Sequence, residues 1–197
     1  MRPPLILSTA LVFVAAVSAP VVFGADVRPA AAATYVASSE IDATIVRMGP
    51  EPVGDRVVRV VTVGQEYNIG VSAVRRTTVD GRTPRDAIVH DKVTEIYHVI
   101  EGSGVLITGG TLDDPKRLPV DSAVVRDIVG PSSIGSGIRD GVRQHVSPGD
   151  VVVIPHGTPH GFVEIEGTRI VYAVIRVDAD RVLAVPGDST GRSAVRD

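Results

Sequence analysis

Five histidines and no cysteine bound the chemistry open to this chain. Thiol nucleophiles, disulfides and cysteine metal sites are excluded, and there is no Gly-x-Ser-x-Gly elbow for a serine hydrolase. His160 is the histidine most firmly held by its surroundings. An apolar run, Val151-Val152-Val153-Ile154, leads into the turn Pro155-His156-Gly157-Thr158-Pro159, and His160 opens the next run, Phe162-Val163-Glu164. Gly and Pro punctuate these runs as they bound a short buried strand. The two prolines limit the turn's freedom, so little entropy is lost in aiming the imidazole. A lone histidine on an apolar strand is more often a satisfied core residue than a ligand, so the spacing of its neighbours decides.

That spacing resembles the second motif of the cupin superfamily: a Gly, five residues, Pro-x-Gly, two residues, His, three residues, Asn. Gly149, Pro155, Gly157 and His160 fall at the matching positions, and Glu164 stands where the motif has Asn. Upstream, His90 to Gly102 (HDKVTEIYHVIEG) resembles the first motif. Glu95 and Gly102 match it, His90 takes the second His position, and Ile88 stands at the first. The resemblance covers roughly residues 55–178 and implies an all-β fold, the double-stranded β-helix or jelly-roll barrel of the cupins. Motif 1 then lies at about 88–102 and motif 2 at 149–164. It also implies a metal site built from His90, Glu95 and His160.

Two neutral imidazoles and one carboxylate suit a divalent first-row metal such as Fe, Mn or Zn, and three protein ligands leave open positions for water or substrate. Such a site serves oxygenases, or polarises a carbonyl in an isomerase or lyase. Alternation along a strand puts Glu95, Tyr97 and Val99 on one face, which the family pattern turns into the barrel, and His98 on the other. Tyr97 is therefore the candidate catalytic side chain, a pocket hydroxyl able to donate a hydrogen bond or a proton; its alternative place is the barrel core. Arg75, Arg76 and Lys92 are candidate carboxylate holders near the mouth, with surface solvation the expected fate of each. Ile88 carries the competing interpretation. With one imidazole fewer, Glu95 and His160 form a buried hydrogen-bonded pair with His90 at the rim. The protein is then a metal-free, non-catalytic cupin that binds a small ligand or serves as an interaction module.

The elements that must position these residues are mostly β. Ser38 to Asp42 has the character of an N-cap followed by acids, predicting a short helix over 39–47 packed outside the barrel. Valine-rich and alternating runs at 57–63 and 69–76 predict two strands joined at Gly64-Gln65-Glu66. Two more strands span Ile88 to Gly110 around a corner at Asp91 to Thr94. Residues 111–146 read as an insertion between the motifs, and Val129 to Gly137, rich in Gly and Ser, as a surface loop. His145 and His156 read as exposed turn residues. Glu166-Gly167 predicts a hairpin turn before a last strand at 169–177.

The ends differ in character. Residues 1–24, with Arg2 and a nearly continuous apolar stretch from Leu5 to Phe23, read as a secretory signal. Residues 25–38 read as a flexible tether, 39–183 as the barrel domain, and 184–197 as a disordered tail. Removing residues 1–24 deletes Arg2 and no acid, which takes the net charge from -3 to -4. The remaining charges are interspersed with no basic block, which excludes nucleic acid as a partner. The expectation is an exported protein, periplasmic or extracellular, with no stable membrane span after cleavage. It binds a divalent metal and a small-molecule substrate, and the family resemblance implies a homodimer.

Overall fold

A computed structural model of the protein describes residues 32–84 and 86–185. The signal, half of the tether and nearly all of the tail expected from the sequence lie outside the described residues. The described residues open with 32–37, free of regular structure, followed by a helix, α1 (Ser38–Val46). The helix opens one residue earlier than Ser38 as N-cap predicts, because Ala37 is the cap and the Glu40 carboxylate accepts its backbone N–H at 3.3 Å. Glu40 also pairs with Arg59 at 2.6 Å, and Thr44 and Met48 are buried, so the helix is held to the first strands by its side chains.

The strands are β1 (Val53–Val63), β2 (Tyr67–Thr77), β3 (Ala87–His90), β4 (Val93–Thr108), β5 (Thr111–Asp113), β6 (Lys116–Arg117), β7 (Ser132–Gly135), β8 (Gly137–Arg139), β9 (Val142–Val146), β10 (Val151–Ile154) and β11 (His160–Asp178). A π-helical turn, Val125–Val129, lies between β6 and β7. Every pairing is antiparallel. The main sheet runs β1-β2-β11-β3-β7-β6, and β4 pairs with β11, β10 and β9. The architecture is an all-β jelly-roll barrel with a short N-terminal helix. Its interior is filled by side chains from alternate positions of these strands, among them Val74, Tyr97, Leu106, Ile154, Phe162 and Tyr172. Among the described residues, no helix is long and apolar enough to cross a membrane.

Two expectations about local structure are corrected. The hairpin turn at Glu166-Gly167 is absent: β11 runs unbroken for 19 residues. Both its halves pair with the same partner, His160–Glu166 with β4 residues 103–108 and Val171–Asp178 with residues 93–101, and the extra residues between them form a bulge. A turn there would reverse the chain; a bulge only bends it. The surface loop at 129–137 is also wrong. Ser132–Gly135 is strand β7, paired residue for residue with β3 (His90 opposite Ser132). Its side chains carry no strand pattern, so the neighbouring backbone ladder imposes the conformation. His145 is exposed as expected, but on β9 rather than in a turn, and 3.1 Å from Glu166.

Candidate metal centre

His90 ends β3, Glu95 lies near the start of β4, and His160 is the first residue of β11. The turn before His160 is tied directly to the first motif. The Gly157 N–H donates to the His90 carbonyl at 2.7 Å, and the His156 N–H donates to Thr94 Oγ1 at 3.1 Å. Gly157 has φ 77°, which glycine adopts without strain. His160 itself pairs across the sheet with Ile88. The three side chains are thus delivered by three strands into one place, and they are 3%, 2% and 1% exposed for His90, Glu95 and His160.

Their ligand atoms lie within 4.8 Å of one another. Glu95 Oε2 is 3.4 Å from His90 Nε2 and 3.2 Å from His160 Nε2. The opposite nitrogens settle which atoms face inward. His160 Nδ1 lies 3.0 Å from the Thr158 carbonyl, which can only accept, so Nδ1 carries the proton. His90 Nδ1 lies 2.8 Å from Ser132 Oγ, whose single hydrogen faces the carbonyls of Gly130 (2.9 Å) and Val129 (3.2 Å). The hydroxyl therefore accepts from His90 Nδ1–H. In the neutral rings both Nε2 atoms then present lone pairs toward a carboxylate oxygen. His160 Nε2 is buried with no hydrogen-bond partner among the described residues. Three converging electron-pair donors could hold a cation between them, and imidazoles fixed by a hydrogen bond at the far nitrogen are how proteins aim histidine at a metal.

Glu95 is ionised. Burial works to raise its pKa, but the charge of Arg176 outweighs burial and holds it well below the usual carboxylate range. Arg176 donates from Nε to Glu95 Oε1 at 2.8 Å and from Nη1 to Ser72 Oγ at 2.7 Å, and it pairs with both oxygens of Asp55, at 3.2 and 2.6 Å. Tyr97 stands edge-on to the His160 ring, centroids 5.9 Å apart, and against Tyr172 at 4.6 Å. Burial, and then the Glu95 charge, push the Tyr97 phenol well above its ordinary value, so it keeps its proton.

A family model described as Cupin matches residues 51–189. The chain belongs to the cupin family. Among solved structures, this cupin is similar to the polyketide cyclase RemF from Streptomyces resistomycificus, with 21% identity, a TM-score of 0.41, and coverage of 74% of this chain and 80% of that one. It is also similar to a recombinant oxalate oxidase in complex with glycolate (18% identity, TM-score 0.39, 68% of this chain and 54% of that one). The DMSP lyase DddQ from Ruegeria pomeroyi DSS-3 is a third (14% identity, TM-score 0.39, 66% and 50%). The chain therefore spans about half the length of the oxidase and of the lyase. No curated protein matches it in sequence.

The cupin fold brings His90, Glu95 and His160 together, and His90 is buried with them rather than at a rim. Tyr97 belongs to the core cluster beside the site. His98 points outward and is exposed, as strand parity requires. Lys92 is exposed and paired with Asp180 at 2.8 Å, and Arg75 donates to the Gly49 carbonyl at 2.6 Å. Arg76 departs from the expected surface position. It is 8% exposed, donates from Nε to the Tyr172 hydroxyl at 3.0 Å, and grips both oxygens of Asp86 at 2.9 and 3.0 Å. Ser132, Arg176 and Asp55 were not singled out from the sequence. Arg176 carried a usable signal: it shares inward parity with Tyr172 and Val174, and a charge at an inward position demands a buried partner.

Proposed function

We propose that this cupin binds one divalent first-row metal through His90 Nε2, His160 Nε2 and Glu95 Oε2, and acts on a small organic molecule as an oxygenase, isomerase or lyase. One observation carries the reading: a buried His160 Nε2 that has no hydrogen-bond partner among the described residues and lies 3.2 Å from the carboxylate oxygen that also faces His90 Nε2. A cation held there would supply a Lewis acid with open coordination positions, since only three protein side chains ligate it. The chain's own residues set the conditions. Ser132 and the Thr158 carbonyl hold the imidazole tautomers, and Arg176 keeps Glu95 ionised at a buried position. Tyr97 sets its ring edge-on to His160, Ile88 is the cross-strand neighbour of His160, and the Tyr97 phenol is a hydrogen-bond donor and not an anion. The test is the metal content of protein purified without chelator, beside Glu95→Ala and His160→Ala. Near-stoichiometric metal that is lost in both variants supports the proposal; equal content in wild type and variants refutes it.

Ile88 favours a second reading, a metal-free barrel that binds a small ligand, because it stands where the first motif has a histidine. A site that refuses added iron, manganese and zinc would support it, and turnover that tracks metal occupancy would exclude it. Export is proposed on the apolar stretch from Leu5 to Phe23. N-terminal sequencing of protein recovered outside the cytoplasm should begin near Ala25; protein retaining Met1 there would refute cleavage.

A further inference from the structure

We infer that Arg176 is the positioning residue of the metal centre, fixing Glu95 so that one carboxylate oxygen, Oε2, faces the two imidazoles. The inference rests on the metal site proposed above. Glu95 and Arg176 are direct cross-strand partners on β4 and β11, and Arg176 is in turn opposite Gly70 on β2. Gly70 presents no side chain to Arg176, and a Cβ there would lie 3.5 Å from Arg176 Cβ, an ordinary van der Waals contact.

The guanidinium divides the two oxygens of Glu95 between two tasks. Nε holds Oε1 at 2.8 Å, so Oε2 is left at 3.4 and 3.2 Å from the imidazole nitrogens. The last torsion of a glutamate is soft and two-fold, so the carboxylate's own stereochemistry does not choose which oxygen turns inward. The arginine is itself immobilised. Its far edge is gripped by both oxygens of Asp55, and Nη1 also donates to Ser72 Oγ at 2.7 Å. A planar, two-pronged pair of this kind fixes direction as well as distance, which a lysine ammonium cannot do.

The same guanidinium places a positive charge beside a cation site. If Arg176 acted only through that charge, Arg176→Lys, which keeps the charge, would leave metal affinity unchanged; if the guanidinium aims Glu95, the lysine lowers affinity. Arg176→Lys therefore separates the two roles. The experiment measures Co(II) affinity by chelator competition, with the Co(II) visible absorption spectrum, in wild type, Arg176→Gln and Arg176→Lys. A metal-free crystal structure of each variant accompanies it. Arg176→Lys keeps a counter-charge for buried Glu95 and Asp55, so it carries the test where the Gln variant does not fold. Both variants should lose about tenfold or more in affinity, with an altered spectrum and Glu95 turned off its wild-type direction. Unchanged or tighter binding with Glu95 in place would overturn the inference, as would a fall in melting temperature alone. If wild type takes up no Co(II), the metal proposal fails by itself; the orientation of Glu95 in the metal-free variants then decides whether Arg176 positions it.

Discussion

Glu95 keeps its charge inside a barrel because Arg176 stands on one of its oxygens, and this makes stability depend on pH with a definite sign. Its pKa in the folded state lies well below the ordinary 4.5, so below that value the unfolded chain binds the proton more readily than the folded one. The stabilisation from ionised Glu95 is complete above 4.5 and is lost as pH falls through the depressed folded value. Denaturant unfolding of metal-free protein between about pH 6 and about pH 3 should show stability falling with acidity, and Glu95→Gln should flatten that slope. An identical slope in the variant would mean other carboxylates carry it. Ser132 is the second residue with a local consequence. Ser132→Ala removes the acceptor of His90 Nδ1–H, frees the ring to rotate, and should weaken metal binding by about tenfold, read by chelator competition. Wild-type affinity in that variant would show that packing alone orients His90. Glu95 and His160 were legible in the sequence because each sits inside a short local motif, Glu95 between His90 and Gly102 and His160 after Pro155, Gly157 and Pro159. Ser132 was not, because its role comes from a strand far away in the chain, and Arg176 offered only its inward parity, its partner Glu95 lying on a distant strand.

At the scale of elements, the ribbon of β4 and β11 carries the site. It supplies Glu95 and His160, bends at the Glu166–Val171 bulge, and continues into the pairing with β2. The bend demands close backbone approach. A Cβ at Gly104 would lie 2.3 Å from the Glu164 carbonyl oxygen and 3.3 Å from Ile165 Cα, and backbone on both sides cannot yield cheaply. Gly104→Ala should therefore destabilise the protein by about 1–3 kcal/mol, the usual cost of overpacking. The measurement is the denaturant midpoint, and an unchanged midpoint would show that the ribbon can open there. The strands of this ribbon were visible as apolar and alternating runs, whereas its bend was mistaken for a turn. Glu166-Gly167 looks the same in sequence whether the chain reverses or bulges; only the common partner, β4, distinguishes the two. β7 was missed for the converse reason: Ser132–Gly135 has no apolar alternation, and its pairing with β3 supplies the order.

For the whole molecule, the ligand arrangement links metal binding to global stability. His90, Glu95 and His160 come from β3, β4 and β11, and β11 is hydrogen-bonded to both of the other two. The three donors converge only when these strands are assembled, so a metal that needs all three binds the folded chain and not the unfolded one. Folding and binding are then coupled by mass action. With free metal at about 100 times its Kd, the folded state gains about 2.7 kcal/mol. For a domain of this size each kcal/mol moves the melting temperature by about 2–4 °C, so saturating metal should raise it by about 5–10 °C. The rise should grow with the logarithm of metal concentration, reverse on adding chelator, and vanish in His160→Ala, which retains the barrel but loses one donor. An equal rise in His160→Ala would place the stabilising metal elsewhere on the protein. A wild type that melts at the same temperature with and without metal would leave three buried donors facing one another with no cation to join them, and the metal proposal would fall.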